Sequence, residues 1–269
     1  MKPVLTIALA AVREHTRRKF LLFFLAILLA VTAGMIYLTY NRTLGGALFD
    51  AAVNLVNVAS LSFMFFIAAL TTIAVSMGNI GRPFSDGEAM LVLARPVARW
   101  QYGIGRLLGS VFVVLILCLL MAGQMQVVQL FEDTQISSQL PGHWATTAFN
   151  LTLLAAITTL LSSLLNTPIL VAIGSYLVYQ ALGAISVLNV MAKSDVLRGW
   201  MAGVVRIAYF LSPKTLVSPL TSAQLSEAAP RGGGVPSVPS TSGGTVIMAF
   251  VYLAAIVLAT VVIVQRRDL

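Results

Sequence analysis

Six stretches of this chain run for about twenty residues or more without an Asp, Glu, Lys, Arg or His: 20–40, 51–77, 107–130, 145–165, 168–190 and 245–264. A helix needs about 20 predominantly apolar residues to cross the hydrocarbon core of a bilayer. Inside that core the backbone has no water to bond, so continuous apolar runs span it as helices that satisfy their own amides. The sequence therefore predicts an all-α, polytopic membrane protein with six transmembrane helices in a single domain, 1–269. Composition excludes the soluble alternative: 58% of residues are hydrophobic and 10% are charged, against about 25% charged in ordinary soluble domains. The first run is too long for the core of a secretory signal, and no small-residue cleavage site follows Met35–Arg42, "MIYLTYNR". It reads as a retained helix.

The basic residues set the orientation. With both ends in the cytoplasm, the inner segments hold Lys2, Arg13, Arg17, Arg18, Lys19, Arg82, Arg95, Arg99, Arg106, Arg266 and Arg267, eleven of the 17 Lys and Arg. The other six are Arg42, Lys193, Arg198, Arg206, Lys214 and Arg231, and most fall in the long segment 191–244, where the positive-inside rule is weak. Because the positive charges flank apolar runs instead of gathering on one soluble face, the net charge of +8 points to membrane topology, with no nucleic-acid partner. The expected location is the inner (cytoplasmic) membrane, with 78–106 on the cytoplasmic side.

Two segments frame the bundle. Within 1–19, Leu5, Ala8, Leu9 and Val12 fall on one helical face ahead of Arg17, Arg18 and Lys19. This predicts an elbow helix on the inner leaflet, with membrane lipid as its partner. On the outer side, the apolar patch from Trp200 to Leu211 is too short to span and is interrupted by Arg206, which predicts an interfacial or re-entrant helix between spans five and six. The stretch 229–244, "APRGGGVPSVPSTSGG", has the composition of a flexible tether.

Familiar catalytic chemistry is missing from the sequence. There is no phosphate-binding G-x-x-x-x-G-K-[ST], no H-E-x-x-H and no G-x-S-x-G. His15 and His143 are far apart and lie outside the runs as drawn, so no metal site is expected. Cys118 sits alone in an apolar run and reads as a small buried hydrophobe. Ion-coupled carriers generally place ionisable groups inside the membrane. The six runs have none, so the chain is expected to be non-enzymatic and to draw its energy from a partner.

The charged stretch 85–109 is where a partner could attach. Pro96 disfavours helix at Arg95 and can itself start one, so the stretch reads as helix, break, helix. The first piece would expose Glu88 and bury Met90, Leu91 and Leu93. Two readings stay open from the residues alone: a helix docked into another protein, or a plain inner loop whose arginines set topology. Gly105 and Gly109 form a small-xxx-small pair to which the sequence assigns no role.

Gly87–Gly109, "GEAMLVLARPVARWQYGIGRLLG", resembles the loop between the second and third spans of the type-2 ABC transporter permeases, the transmembrane subunits of ABC exporters. Glu88, Leu93–Val97, Arg99, Trp100 and Arg106 carry the match. Ser162–Tyr179 resembles the family's turn between spans four and five, and Tyr209–Pro213 and Gln265–Leu269 are similar to its late landmarks. The acidic part departs from the family pattern, because "SDGEA" stands where two or more acidic residues usually precede a glycine. The resemblance implies a dimer, with a second copy or a sister permease, resting on separate ATPase subunits that hold ATP and magnesium. It implies that 78–106 carries a coupling helix, with Glu88, Arg95, Pro96 and Arg99 as docking residues. No cofactor is expected on this chain.

Polar side chains inside the runs are candidates for a translocation path: Asn54, Asn57, Gln124, Asn150, Tyr176, Tyr179 and Gln180. The competing reading of each is interhelical hydrogen bonding, which membrane bundles use routinely. Three functions stay in view: an ATP-driven exporter subunit, a membrane scaffold that recruits an ATPase without moving cargo, and an ATP-independent secondary carrier.

Overall fold

The computed structural model describes residues 2–16, 19–41, 63–85, 87, 97–131, 140–165, 167–193, 200–201, 203–204, 207 and 243–266. These residues form helices and turns, with no strand among them. The helices are α1 (Lys2–Thr16), α2 (Lys19–Asn41), α3 (described over Phe63–Ser76), α4 (Gly81–Ser85), α5 (Arg99–Phe131), α6 (Leu140–Leu164), α7 (Pro168–Lys193) and α8 (Gly243–Arg266). Each of the six apolar runs overlaps one of α2, α3, α5, α6, α7 and α8. Arg99–Gln124, Gly142–Leu164 and Gly244–Arg266 are long and apolar enough to cross a membrane, while Leu22–Tyr37, Phe63–Ser76 and Pro168–Ala181 are shorter apolar helices. The protein is thus a membrane-associated helical bundle.

Its core lies where α2, α3, α5 and α6 meet. Phe24 and Leu28 pack with Met64, Ala68 and Ile73, with Val114, Leu117 and Met121, and with Leu151, Leu154 and Ala155. Cys118 is buried in the same cluster, as the sequence predicts. Small residues at Ala68, Ala69 and Ala155 let the backbones approach closely, as membrane bundles require where dispersion does most of the work of association. The outer surface carries large apolar side chains instead of charges. Leu119 and Ile169 are 72% and 73% exposed, and Leu22, Leu177 and Leu258 are each more than half exposed. A surface of this kind is stable against lipid and not against water.

Several boundaries differ from the sequence reading. α5 begins at Arg99, not Leu107, so the end of the 78–106 loop is helix and Arg106 lies inside a candidate spanning helix. The start has a local cause: Gln101, at the third helical position, accepts a hydrogen bond from the Ala98 N–H at 3.2 Å, half of a capping box. α6 begins at Leu140, not Ala145, which places His143 inside a helix, buried between Phe65 and Trp144 at ring-centroid distances of 5.3 and 5.1 Å. α8 begins at Gly243, within the stretch read as tether; 229–242 lies outside the described residues. The turn between α6 and α7 stands where it was expected, with Pro168 opening α7.

The face of α1 is also corrected. Ala11 is fully buried and Val4, Ile7 and Ala8 are partly buried, whereas Leu5 and Leu9 are 66% and 53% exposed. The helix therefore has two apolar faces. One is fastened to α5, its most extensive neighbour. The other is open and continues into a groove lined by Thr6, Leu9, Ala10, Arg13 and Glu14. The described residues at 200, 201, 203, 204 and 207 are helical, with Trp200, Met201, Val204 and Ile207 exposed, in keeping with a helix at an interface.

Candidate functional site

Opposite ends of the bundle differ in chemistry. At one end Phe65, His143 and Trp144 make an aromatic cluster, with Phe66 edge-on to Tyr176 at 6.3 Å and Phe149 against Phe250 at 5.0 Å. At the other end lie α1, the chain between α3 and α4, the start of α5 and the last turns of α6 and α8. Val264 comes within 3.5 Å of the position a Cβ would take on Gly103, which brings the close of α8 beside the start of α5. The N-terminal helix, both roots of the 85–98 segment and the C-terminal helix end therefore gather on one face of the bundle.

The first root follows α3. The helix ends at Ser76, and residues 77–80 turn the chain into α4, which opens at Gly81. Asn79 is fully buried there. Its Nδ2 donates to Ser110 Oγ of α5 at 3.0 Å and to Thr159 Oγ1 of α6 at 3.3 Å. Both hydroxyls spend their own protons on their own helices, Ser110 on the Leu107 carbonyl at 2.9 Å and Thr159 on the Ala155 carbonyl at 2.8 Å. They can only accept from Asn79, and this fixes which way the amide faces. Next along, the N–H groups of Ile80 and Gly81 both donate to Ser162 Oγ, at 3.2 and 3.1 Å. One hydroxyl thus satisfies two backbone donors at the start of α4, where the first N–H groups of a helix have no partner within it. Leaving such buried groups unmet would cost about 1–3 kcal/mol each.

The second root runs through α5. Phe84 of α4 packs edge-on against Tyr102 at 5.9 Å, and the Arg106 guanidinium lies 5.8 Å from the Tyr102 ring centroid. Arg106 then donates to Glu14 of α1 in an ion pair. The Arg106 side chain is 9% exposed and Glu14 is 40% exposed, so the pair stands at the margin of the bundle with its cation inside. α1 can reach it because Gly105 and Gly109 offer no side chain: a Cβ there would stand 2.8 Å from Ile7 Cγ2 and 2.6 Å from Ala11 Cβ. The glycine pair thus has a role that its spacing alone did not reveal. Arg106, read as a topology charge, is a buried helix-to-helix link.

Between the roots, Gly87 has φ 75°, in the left-handed region where a Cβ is costly. Replacing it with Ala is expected to cost about 1–2 kcal/mol and to lower the melting temperature in detergent, with Gly87→Asn costing less. Equal melting for Gly87→Ala and the native protein would show that this turn carries no strain.

The sequence-predicted residues fare differently. Glu88, Arg95, Pro96, Asn54 and Asn57 lie outside the described residues. Arg99 is the first residue of α5 and half-buried. Gln124 and Asn150 are half-buried on α5 and α6. Tyr176 and Tyr179 pack against the core, and Gln180, one residue on, is exposed. The interhelical bonds at the first root are instead made by Asn79, Ser110, Thr159 and Ser162, none of them singled out by the sequence. Asn79 stood just past the second apolar run and read as loop, and a hydroxyl in an apolar run carries no mark of its partner. Among the described residues, other hydroxyls bond back to their own helix, as Thr71, Thr72, Thr158 and Thr260 do to the fourth residue before them.

Among the described residues no group of His, Cys, Asp and Glu could hold a metal ion. No protein-family model matches the chain, and no curated protein matches it at a significant level.

Proposed function

We propose that this chain is the transmembrane subunit of an ATP-binding-cassette exporter: a six-span permease of the inner membrane with both ends cytoplasmic. It works as a dimer and is driven by separate ATPase subunits that bind ATP and magnesium. The observation that carries this reading is the anchoring of the 85–98 segment. It leaves α4 and re-enters at Arg99 through two roots that are bonded into α5, α6 and α1. A loop that merely displayed topology charges has no need of such fastening, whereas a loop that receives force does. A second support is chemical: the six apolar runs contain no Asp, Glu, Lys, Arg or His to couple an ion gradient to movement, and the helices built on them add near their ends Arg106, which is paired with Glu14, and His143, which is packed between Phe65 and Trp144. Glu88, Arg95, Pro96 and Arg99 are the docking residues in this reading, and the chain itself performs no catalysis. The half-buried Gln124, Asn150, Tyr176 and Tyr179 are the described candidates for the path.

The test is purification of the tagged chain from its native host in mild detergent. An ATPase subunit is expected to accompany it, and Glu88→Ala with Arg99→Ala should reduce that recovery tenfold or more while leaving the chain monodisperse. Undiminished ATPase recovery would remove the docking role. ATP hydrolysis in vesicles with no transported species would favour the scaffold. Flux driven by an ion gradient without any ATPase would establish a secondary carrier.

A further inference from the structure

We infer that Asn79 and Ser162 are positioning residues of a polar joint that transmits movement of the 85–98 segment to α5 and α6; this rests on the exporter reading above. The joint has three properties that a passive hydrogen bond lacks. First, it is multivalent: one amide bridges two different helices, and one hydroxyl holds two successive backbone N–H groups of the chain leading into α4. Second, it is dry. Asn79, Ser110, Thr159 and Ser162 are all fully buried, so a displaced donor there finds no water to replace its partner. Third, it is incompletely matched: Asn79 Oδ1 and the fully buried Ser76 Oγ, one turn earlier, have no hydrogen-bond partner among the described residues.

The geometry divides the labour. Apolar contacts can slide, because a methyl group meets a neighbouring methyl equally well after a small shift. A short hydrogen bond between buried groups cannot slide without breaking. Gly81 opens α4 and its N–H is held by α6, so a pull on α4 draws on Ser162 directly. Asn79, two residues earlier, draws on Ser110 and Thr159 in the same motion. The unmatched acceptors make this arrangement one that a modest bias can exchange for another. A bundle that must alternate between two states needs that property at the point where force enters.

The experiment has two arms. In the first, the permease alone is followed by amide hydrogen exchange over residues 78–84. Ser162→Ala is expected to speed exchange about tenfold there, whereas Thr158→Ala, whose hydroxyl bonds only within α6 to Leu154, leaves it unchanged. Equal exchange in the two variants overturns the joint, whatever drives the bundle.

In the second arm, the native complex with its ATPase carries Cys118→Ala and Gly142→Cys, the latter at the exposed far end of α6. Thiol labelling at position 142 is compared with ATP and magnesium and without nucleotide. Several-fold nucleotide dependence is expected with Asn79 and Ser162 in place. The Asn79→Leu, Ser162→Ala double variant should keep its ATPase and its hydrolysis but lose that dependence. Retained dependence overturns the inference. So does loss of the ATPase from the double variant, since the two residues would then serve docking or folding. Absence of an ATPase from the native chain instead defeats the exporter reading, and the exchange arm still decides the joint. If the double variant does not accumulate, Ser162→Ala carries the same comparison.

Discussion

Gly109→Val should release α1 from the bundle, and Gly109→Ala should already weaken it by about 1–3 kcal/mol, the cost of overpacking a tight contact. The reason is the hardness of what a new methyl would meet. A Cβ on Gly109 would stand 2.6 Å from Ala11 Cβ and 2.9 Å from the Ala8 carbonyl oxygen. Neither is the tip of a flexible side chain, so α1 itself must move. Gly105 is hardly more forgiving, because a new rotamer moves Ile7 Cγ2 but not Ile7 Cβ, which would stand 2.9 Å away, and the Val4 carbonyl is at 3.1 Å. Displacing α1 also pulls Glu14 away from Arg106, so the loss grows with the size of the side chain. The comparison is Gly123→Ala, farther along α5, where nothing lies within 4 Å. That variant should be neutral, or stabilising by up to about 1 kcal/mol through helix propensity. Melting in detergent ranks the three, and trypsin cleavage after Arg13 and Arg17 reports release of α1 directly. Ala11→Gly should partly rescue Gly109→Ala by restoring the space. Equal melting of Gly109→Ala and Gly123→Ala would show that α1 does not pack at this site.

That contact illustrates what the sequence could and could not convey. The helices themselves were legible, because about twenty apolar residues in a row leave few other solutions. The turn at Pro168 and the burial of Cys118 were legible for the same local reasons. The docking of α1 was not. Its apolar residues fill two adjoining faces, and periodicity cannot say which one meets protein and which remains open. A glycine pair at a spacing of four is common by chance, and only the partner backbone gives it meaning. The start of α5 was missed because an apolar run marks where a helix becomes greasy, not where it begins. Arg99 to Arg106 is as helical as the stretch beyond it, and its cap is a glutamine that hydropathy ignores.

The polar joint was hidden for a related reason. Asn79, Ser110, Thr159 and Ser162 are distant in sequence and each is unremarkable where it stands. Their significance comes from convergence at one end of the bundle, which no single run displays. The candidates that sequence reasoning preferred were amides and tyrosines in mid-run, chosen because they are conspicuous in hydrocarbon. Gln180, one of them, is exposed.

The ion pair between Arg106 and Glu14 makes the second large prediction, and its asymmetry is the test. Removing the carboxylate strands a guanidinium whose side chain is 9% exposed, whereas removing the guanidinium leaves a carboxylate that is 40% exposed and can turn to water. Glu14→Ala should therefore cost about 2–3 kcal/mol, below the full penalty for breaking a deeply buried pair because water reaches one side of it. Arg106→Met keeps the apolar stem packed near Tyr102 and should cost only about 1 kcal/mol. Arg106→Lys should fall short of the native protein, since an ammonium cannot both face the Tyr102 ring and fork toward Glu14 as a guanidinium does. Combining Glu14→Leu with Arg106→Met should recover most of the loss, because a buried pair and an apolar pair of similar volume are often equivalent in stability. Detergent melting of the four variants decides the matter. If Arg106 served only to set topology, Glu14→Ala would leave melting unchanged. If Arg106→Met proved more damaging than Glu14→Ala, the cation would be held by something other than Glu14, and the tie between α1 and α5 would rest on the glycines alone.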